Sequence, residues 1–261
     1  MKRMNLMVAI FGLLIFSSFA MGLGQVELST GFDNTLIVQA PYPNPPVVSN
    51  QPDNYWINIA SFPTTNPAVG PAWVLHSPQA SWWSVLLPNS RWISAWKTAA
   101  SPSLTTVLNP AYTIFKKGFC LQRGFQNASL SFKARGDNNI NAYLNTTLNP
   151  VLPPSSGQWN SAAPLQSLPS NPAWFRVGPN YLYVYAEDDG GLMGFDLSGT
   201  VSALGLLPTP AMGTNGSFAP CSCSTGPVTR SATEVGDNDA KMIREILKIA
   251  AAQRAARQTR Q

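Results

Sequence analysis

From residue 55 to residue 204, short runs of β-type residues are cut again and again by clusters of Pro, Gly, Asn and Ser. The runs fall at 55–60, 73–76, 91–96, 113–115, 129–134, 141–144, 174–177, 181–186 and 195–201. Several alternate strictly, as in Leu130-Ser131-Phe132-Lys133-Ala134, a period of two that turns one face to a core and the other to water. Gly178-Pro179-Asn180 supplies turn chemistry between two runs and predicts a hairpin over 174–186. No helical period of any length precedes residue 237. Many short strands separated by turns predict an all-β, antiparallel sandwich or barrel.

The flanks read differently. Residues 25–54 hold a strand-like piece at 35–39 and the connector Pro41-Tyr42-Pro43-Asn44-Pro45-Pro46, and should pack on the sandwich of residues 55–207. Residues 208–236 form a Pro/Gly/Ser-rich linker. Over 237–261, Met242, Ile243, Ile246, Leu247 and Ala250 recur at helical spacing, with Asp237 or Asn238 placed to cap and bases gathered toward the end. This basic amphipathic helix could dock on the core, bind a protein partner or an anionic surface, or fray.

Charge narrows the function. Only 11% of the residues are charged, against about 25% in ordinary soluble domains. The formal charge of +5 sits at the ends: Lys2 and Arg3 in the first 24 residues, and six bases against three acids after residue 236. Residues 25–236 are left with nine bases and nine acids. A neutral body without a basic stripe argues against nucleic-acid binding.

Residues 1–24 carry a basic start, an apolar run over 6–16 and then Ser17, Ser18, Ala20, Gly22 and Gly24, the pattern of a signal peptide. The apolar stretch is shorter than the roughly 20 residues of a membrane span, and no second one follows, so the expected product is secreted or on the cell surface. In an oxidising route three cysteines predict one disulfide and one odd thiol. Cys221-Ser222-Cys223 is too tight for an easy local bridge, which leaves Cys120 with one of the two. Sequons stand at Asn127, Asn145 and Asn215 and matter only in a eukaryotic source.

Three ordered blocks carry a resemblance. The first joins Tyr55-Trp56-Ile57 to Asn89-Ser90-Arg91-Trp92-Ile93-Ser94. The second runs from Ala128 through Phe132-Lys133-Ala134-Arg135-Gly136-Asp137-Asn138 to Asn141-Ala142-Tyr143-Leu144-Asn145. The third runs from Phe175-Arg176-Val177-Gly178-Pro179-Asn180-Tyr181 to Gly190-Gly191-Leu192-Met193-Gly194-Phe195 and Gly199. Over residues 54–204 these resemble the galactose-binding-like jelly-roll domains of secreted proteins. Thr146 stands where that pattern has Gly, Gly136 where it has Ala, and Cys120 is outside it. The resemblance implies a jelly-roll β-sandwich; by their own chemistry Trp92 should pack between sheets and Asn145 should take a left-handed turn position.

Sugar faces set a flat aromatic against a pyranose and hold its hydroxyls with amides and carboxylates. Trp82, Trp83, Trp96 and Trp159 are the candidate aromatics, and Asp137, Asn138 and Asn139 the polar partners. Each has a plainer role as well, capping the sandwich ends or satisfying strand entries. Glu187-Asp188-Asp189 is the densest acidic spot; the resemblance suggests a structural Ca²⁺ there, and a solvated turn is the plainer alternative. No nucleophile elbow, P-loop or H-E-x-x-H occurs, and His76 is alone. Asp137 and Glu187 could be nominated as a glycosidase pair by residue type only. The sequence thus predicts a secreted, non-catalytic recognition protein that binds carbohydrate or a glycosylated surface. The alternative is a matrix or cell-surface protein assembled through cysteine and the C-terminal helix.

Overall fold

The computed structural model describes residues 23–31, 52–62, 69–75, 87, 90–97, 110–155, 166–168, 173–188, 191–207, 221 and 232–259. Its strands are β1 (Leu23–Glu27), β2 (Pro52–Phe62), β3 (Gly70–Val74), β4 (Ile93–Ser94) and β5 (Ala111–Asp137), followed by β6 (Asn139–Leu144), β7 (Pro150–Ser155), β8 (Gln166–Leu168), β9 (Gly178–Asp188) and β10 (Gly194–Leu207). A single helix, α1 (Ala232–Gln258), follows. All described strand pairs are antiparallel, and the order is β1-β10-β4-β3-β2-β5-β9-β6-β7, with β8 beside β5. The fold class is therefore antiparallel all-β with one C-terminal helix.

The 27-residue β5 makes the sandwich. Residues 111–121 pair with β9, and residues 120–137 pair with β10. Between these halves the β10 register shifts twice, Gly124 and Asn127 take positive φ, and the backbone bends. Since β10 also reaches β2 through β4 and β3, the layers close over one core. Phe195 of β10 meets Trp56 of β2 edge-on at 5.1 Å and Phe115 of β5 at 4.8 Å. The alternation predicted at 129–134 holds, with Leu130, Phe132 and Ala134 in this core and Lys133 exposed.

Several sequence expectations are corrected. The runs at 113–115 and 129–134 are parts of one strand, because the bend bears strand geometry on both sides. Residues 174–177 are not a strand, and Gly178, Pro179 and Asn180 begin β9. The Asn180 side chain accepts from Arg176 N at 2.9 Å and donates to Arg176 O at 2.7 Å, folding that segment into a compact turn. β1, not expected as a strand, begins at Leu23 and pairs Leu23 with Leu204. The helix begins at Ala232, so Asp237 and Asn238 lie inside it rather than at its cap. Gly236 lies in its interior, where Gly costs about 1 kcal/mol relative to Ala and is outweighed by the packing that follows. The strand-like piece at 35–39 lies outside the described residues.

Candidate functional site

Side chains alternate along β9. Leu182, Val184 and Ala186 enter the sandwich core, so Tyr181, Tyr183, Tyr185 and Glu187 share the outer face. Register places Lys116 of β5 and Tyr143 of β6 beside Tyr183, and Tyr112 and Asn139 beside Glu187. Ile57, Ile59 and Ile114 extend this face apolarly. Met242, Ile246 and Ala250 of α1 press on it, one residue per turn of a single helix side. Of the three fates open to the helix, docking is the one observed.

Charge fixes the register of the docked helix. Lys116 Nζ lies 2.6 Å from Asp239 Oδ2 and 4.1 Å from the Tyr181 ring centroid, while Tyr183 OH donates to Asp239 Oδ1 at 2.9 Å. Burial lowers the Lys116 pKa against the pull of Asp239, and burial together with Asp239 raises Tyr183 well above its ordinary value. At the other end Glu187 is 1% exposed. Its Oε2 accepts from Arg254 at 2.7 Å and from Tyr185 OH at 2.5 Å, and its Oε1 accepts from Arg257 at 2.5 Å. Burial, then Glu187, raise the Tyr185 pKa. Thr147 donates to Glu245 at 2.8 Å and Asn141 to Gln253 at 2.9 Å.

The acidic spot is thereby reassigned. Glu187 is committed to two guanidiniums, and Asp188, the next residue of an extended strand, faces away from it. Among the described residues no group of three metal-ligating side chains gathers, and Asp189 lies outside them. Asp137, Asn138 and Asn139 are brought to the same sheet end: Asp137 closes β5 opposite Gly194, Asn138 N donates to Glu187 O at 2.6 Å, and Asn139 pairs with Glu187. Asp137 and Asn139 are buried, and Asn139 Oδ1 has no hydrogen-bond partner.

Trp96 packs half-buried against the core, with its Nε1 buried and unpartnered. Trp82, Trp83, Trp159, Asp189, Cys223 and Asn215 lie outside the described residues. Asn145 has φ of 64°, the left-handed turn expected. Its Nδ2 donates to Trp174 O at 2.8 Å and Asn180 Oδ1 at 2.9 Å, whereas Asn127 is exposed. Cys120 bonds Cys221, one of the two pairings expected.

One aromatic was missed. Ala72 and Val74 enter the core, which turns Trp73 outward, half-buried, with Lys97 Nζ 4.6 Å from its ring centroid. The alternation Ala72-Trp73-Val74 was the signal that could have found it. β3 and β4 pair through Trp73 and Ser94, so the connection bearing Trp82-Trp83 leaves and returns beside Trp73.

The other described carboxylates are also engaged. Asp196 binds Arg135 at 2.8 Å, Asp53 accepts from the backbone N–H groups of Gly31, Tyr55 and Trp56, and Glu27 accepts from Ser29. No protein-family model matches the chain, and no curated protein matches it. Among solved structures, a family 35 carbohydrate binding module from an environmental isolate is similar over 41% of this chain and 74% of that one, at 12% identity and a TM-score of 0.24.

Proposed function

We propose that this chain is a secreted, non-catalytic recognition protein of jelly-roll, galactose-binding-like type that binds carbohydrate or a glycosylated surface. The observation that carries the reading is Trp73. It is an outward aromatic with a cation over its ring, at the root of the connection that holds Trp82 and Trp83. A flat ring stacks on the apolar face of a sugar. The commitment of Glu187, Asp196, Asp53 and Asp239 to structural partners supports a role without acid–base chemistry.

A glycan array on the processed chain tests this, with Trp73→Ala and the pair Trp82→Ala/Trp83→Ala as variants. Binding to defined glycans that each variant weakens is expected; binding to none, with the fold intact by circular dichroism, overturns the reading. The matrix alternative is favoured by one fact, that the Cys120–Cys221 bond leaves Cys223 over. Ladders on non-reducing gels that vanish in Cys223→Ser, together with a silent array, would select it. A leader cleaved after Ala20 or Gly22 leaves β1 whole, whereas cleavage after Gly24 removes its first two residues, so the mass of the secreted form should match one of the former.

A further inference from the structure

Docking sorts the charges of α1. Asp239 and Glu245 lie toward the sheet, where they meet Lys116 and Thr147, and Arg254 and Arg257 are taken up by Glu187. Among the described residues of α1, the charged side chains left exposed are Lys241, Arg244 and Lys248. Spacings of three and four put them on one ridge, spanning about 10 Å at 1.5 Å per residue. Lys241 also lies 4.0 Å from Glu245, an exposed pair that salt screens readily. Around and beyond the ridge the exposed apolar residues are all alanine: Ala240, Ala251, Ala252, Ala255 and Ala256.

We infer that this ridge is a docking surface for an acidic polysaccharide, a second surface independent of the Trp73 edge. Three like charges on a helix held rigidly against a sheet, beside a body that is otherwise neutral, form a local attraction for a polyanion. The choice of polyanion follows from the neighbours. A helix that lies in a membrane interface sets Trp, Phe or Leu on the face it inserts, whereas α1 packs its large apolar residues on the sheet, and its fully exposed apolar residues are all alanine. Alanine adds no insertion energy but lets a hydrated chain approach the cations closely. A duplex needs a longer track of phosphate contacts than three cations provide.

The test uses the full processed chain on immobilised polygalacturonate at low ionic strength, with dextran, vesicles of phosphatidylglycerol and phosphatidylcholine, and duplex DNA as parallel arms. Retention on polygalacturonate is expected, released by salt. The triple variant Lys241→Gln/Arg244→Gln/Lys248→Gln keeps helix propensity and should bind about tenfold more weakly or worse. Ala251→Lys, which lengthens the ridge, should bind more tightly. Trp73→Ala should leave this retention unchanged, and the triple variant should leave array binding unchanged, so the two surfaces fail separately. Equal retention by the triple variant overturns the inference. So does tighter binding to the vesicles or to DNA than to polygalacturonate, or no retention of the parent chain.

Discussion

Glu187 of β9 and Arg254 of α1 meet at 2.7 Å, with the carboxylate buried and the guanidinium a quarter exposed. Since Arg257 takes the other oxygen, one strand residue anchors the last two turns of the helix. Glu187→Ala removes the acceptor for both arginines and for Tyr185 OH. The arginines can turn to water, so the loss should be about 2 kcal/mol rather than the 3–5 of a fully enclosed pair. It should be local. Trypsin should cut α1 at Arg244 and Lys248 faster than in the parent, while hydrogen exchange in β5 and β9 stays slow; unaltered cleavage would show that the apolar contacts of Met242 and Ile246 suffice.

Lys117 predicts an unusual pH dependence. Its ammonium is fully buried without a hydrogen-bond partner, 5.3 Å from the Tyr55 ring centroid, and burial lowers its pKa to about 8 against the opposing charges of Asp53 and Glu27. The unfolded chain keeps this proton until about 10.5, so between the two values it binds more protons than the fold does, and stability rises with pH. The gain from pH 7.5 to 9.5 should be roughly 2 kcal/mol. Above pH 10 the sign reverses, because Tyr183 and Tyr185 hold their protons in the fold after the unfolded chain has lost them. Urea midpoints at the two pH values check this, and in Lys117→Met the rise should shrink to the part that Lys116, also lowered by burial, contributes.

What was legible in the sequence follows the range of the forces involved. Alternation at 129–134 and 181–186 marked strands and their inner faces, since pleating depends only on neighbours. The turn at Asn145 and the bond of Cys120 were also readable, one from local backbone preference and one from compartment and count. β7 and β8 were missed because Pro150, Pro153 and Pro154 hide the first and three residues carry no period in the second. The role of Glu187 was not legible. Beside Asp188 and Asp189 it reads as an acidic spot, and only a helix 67 and 70 residues later supplies its cations.

Among the described residues, Arg135 and Asp196 form the most enclosed ion pair, with 0% and 2% side-chain exposure and two hydrogen bonds at 3.1 and 2.8 Å. The guanidinium lies 4.9 Å from the centroid of the Trp92 ring. Burial raises the Asp196 pKa against the pull of Arg135. Asp196→Ala should cost about 3–5 kcal/mol, because it strands a buried cation. Arg135→Met combined with Asp196→Leu should recover most of that in chemical denaturation. Failure of the double variant to recover would mean that Thr30, which also reaches Asp196, contributes independently.

Asn145 ties three segments together, since its Oδ1 accepts from Tyr181 N at 2.9 Å while Nδ2 holds Trp174 O and Asn180. Its backbone is left-handed, so two effects can be separated by substitution. Asn145→Ala loses both the hydrogen bonds and the conformational match, and should cost about 2–3 kcal/mol. Asn145→Gly restores the backbone match alone and should recover about 1 kcal/mol of that. The same contacts bear on glycosylation in a eukaryotic secretory host. A glycan on Nδ2 leaves one N–H for two acceptors in a half-buried site, whereas Asn127 projects into water. Peptide mapping of the secreted, folded product should therefore find Asn127 occupied and Asn145 bare; a folded fraction modified at Asn145 would refute the structural assignment of that amide.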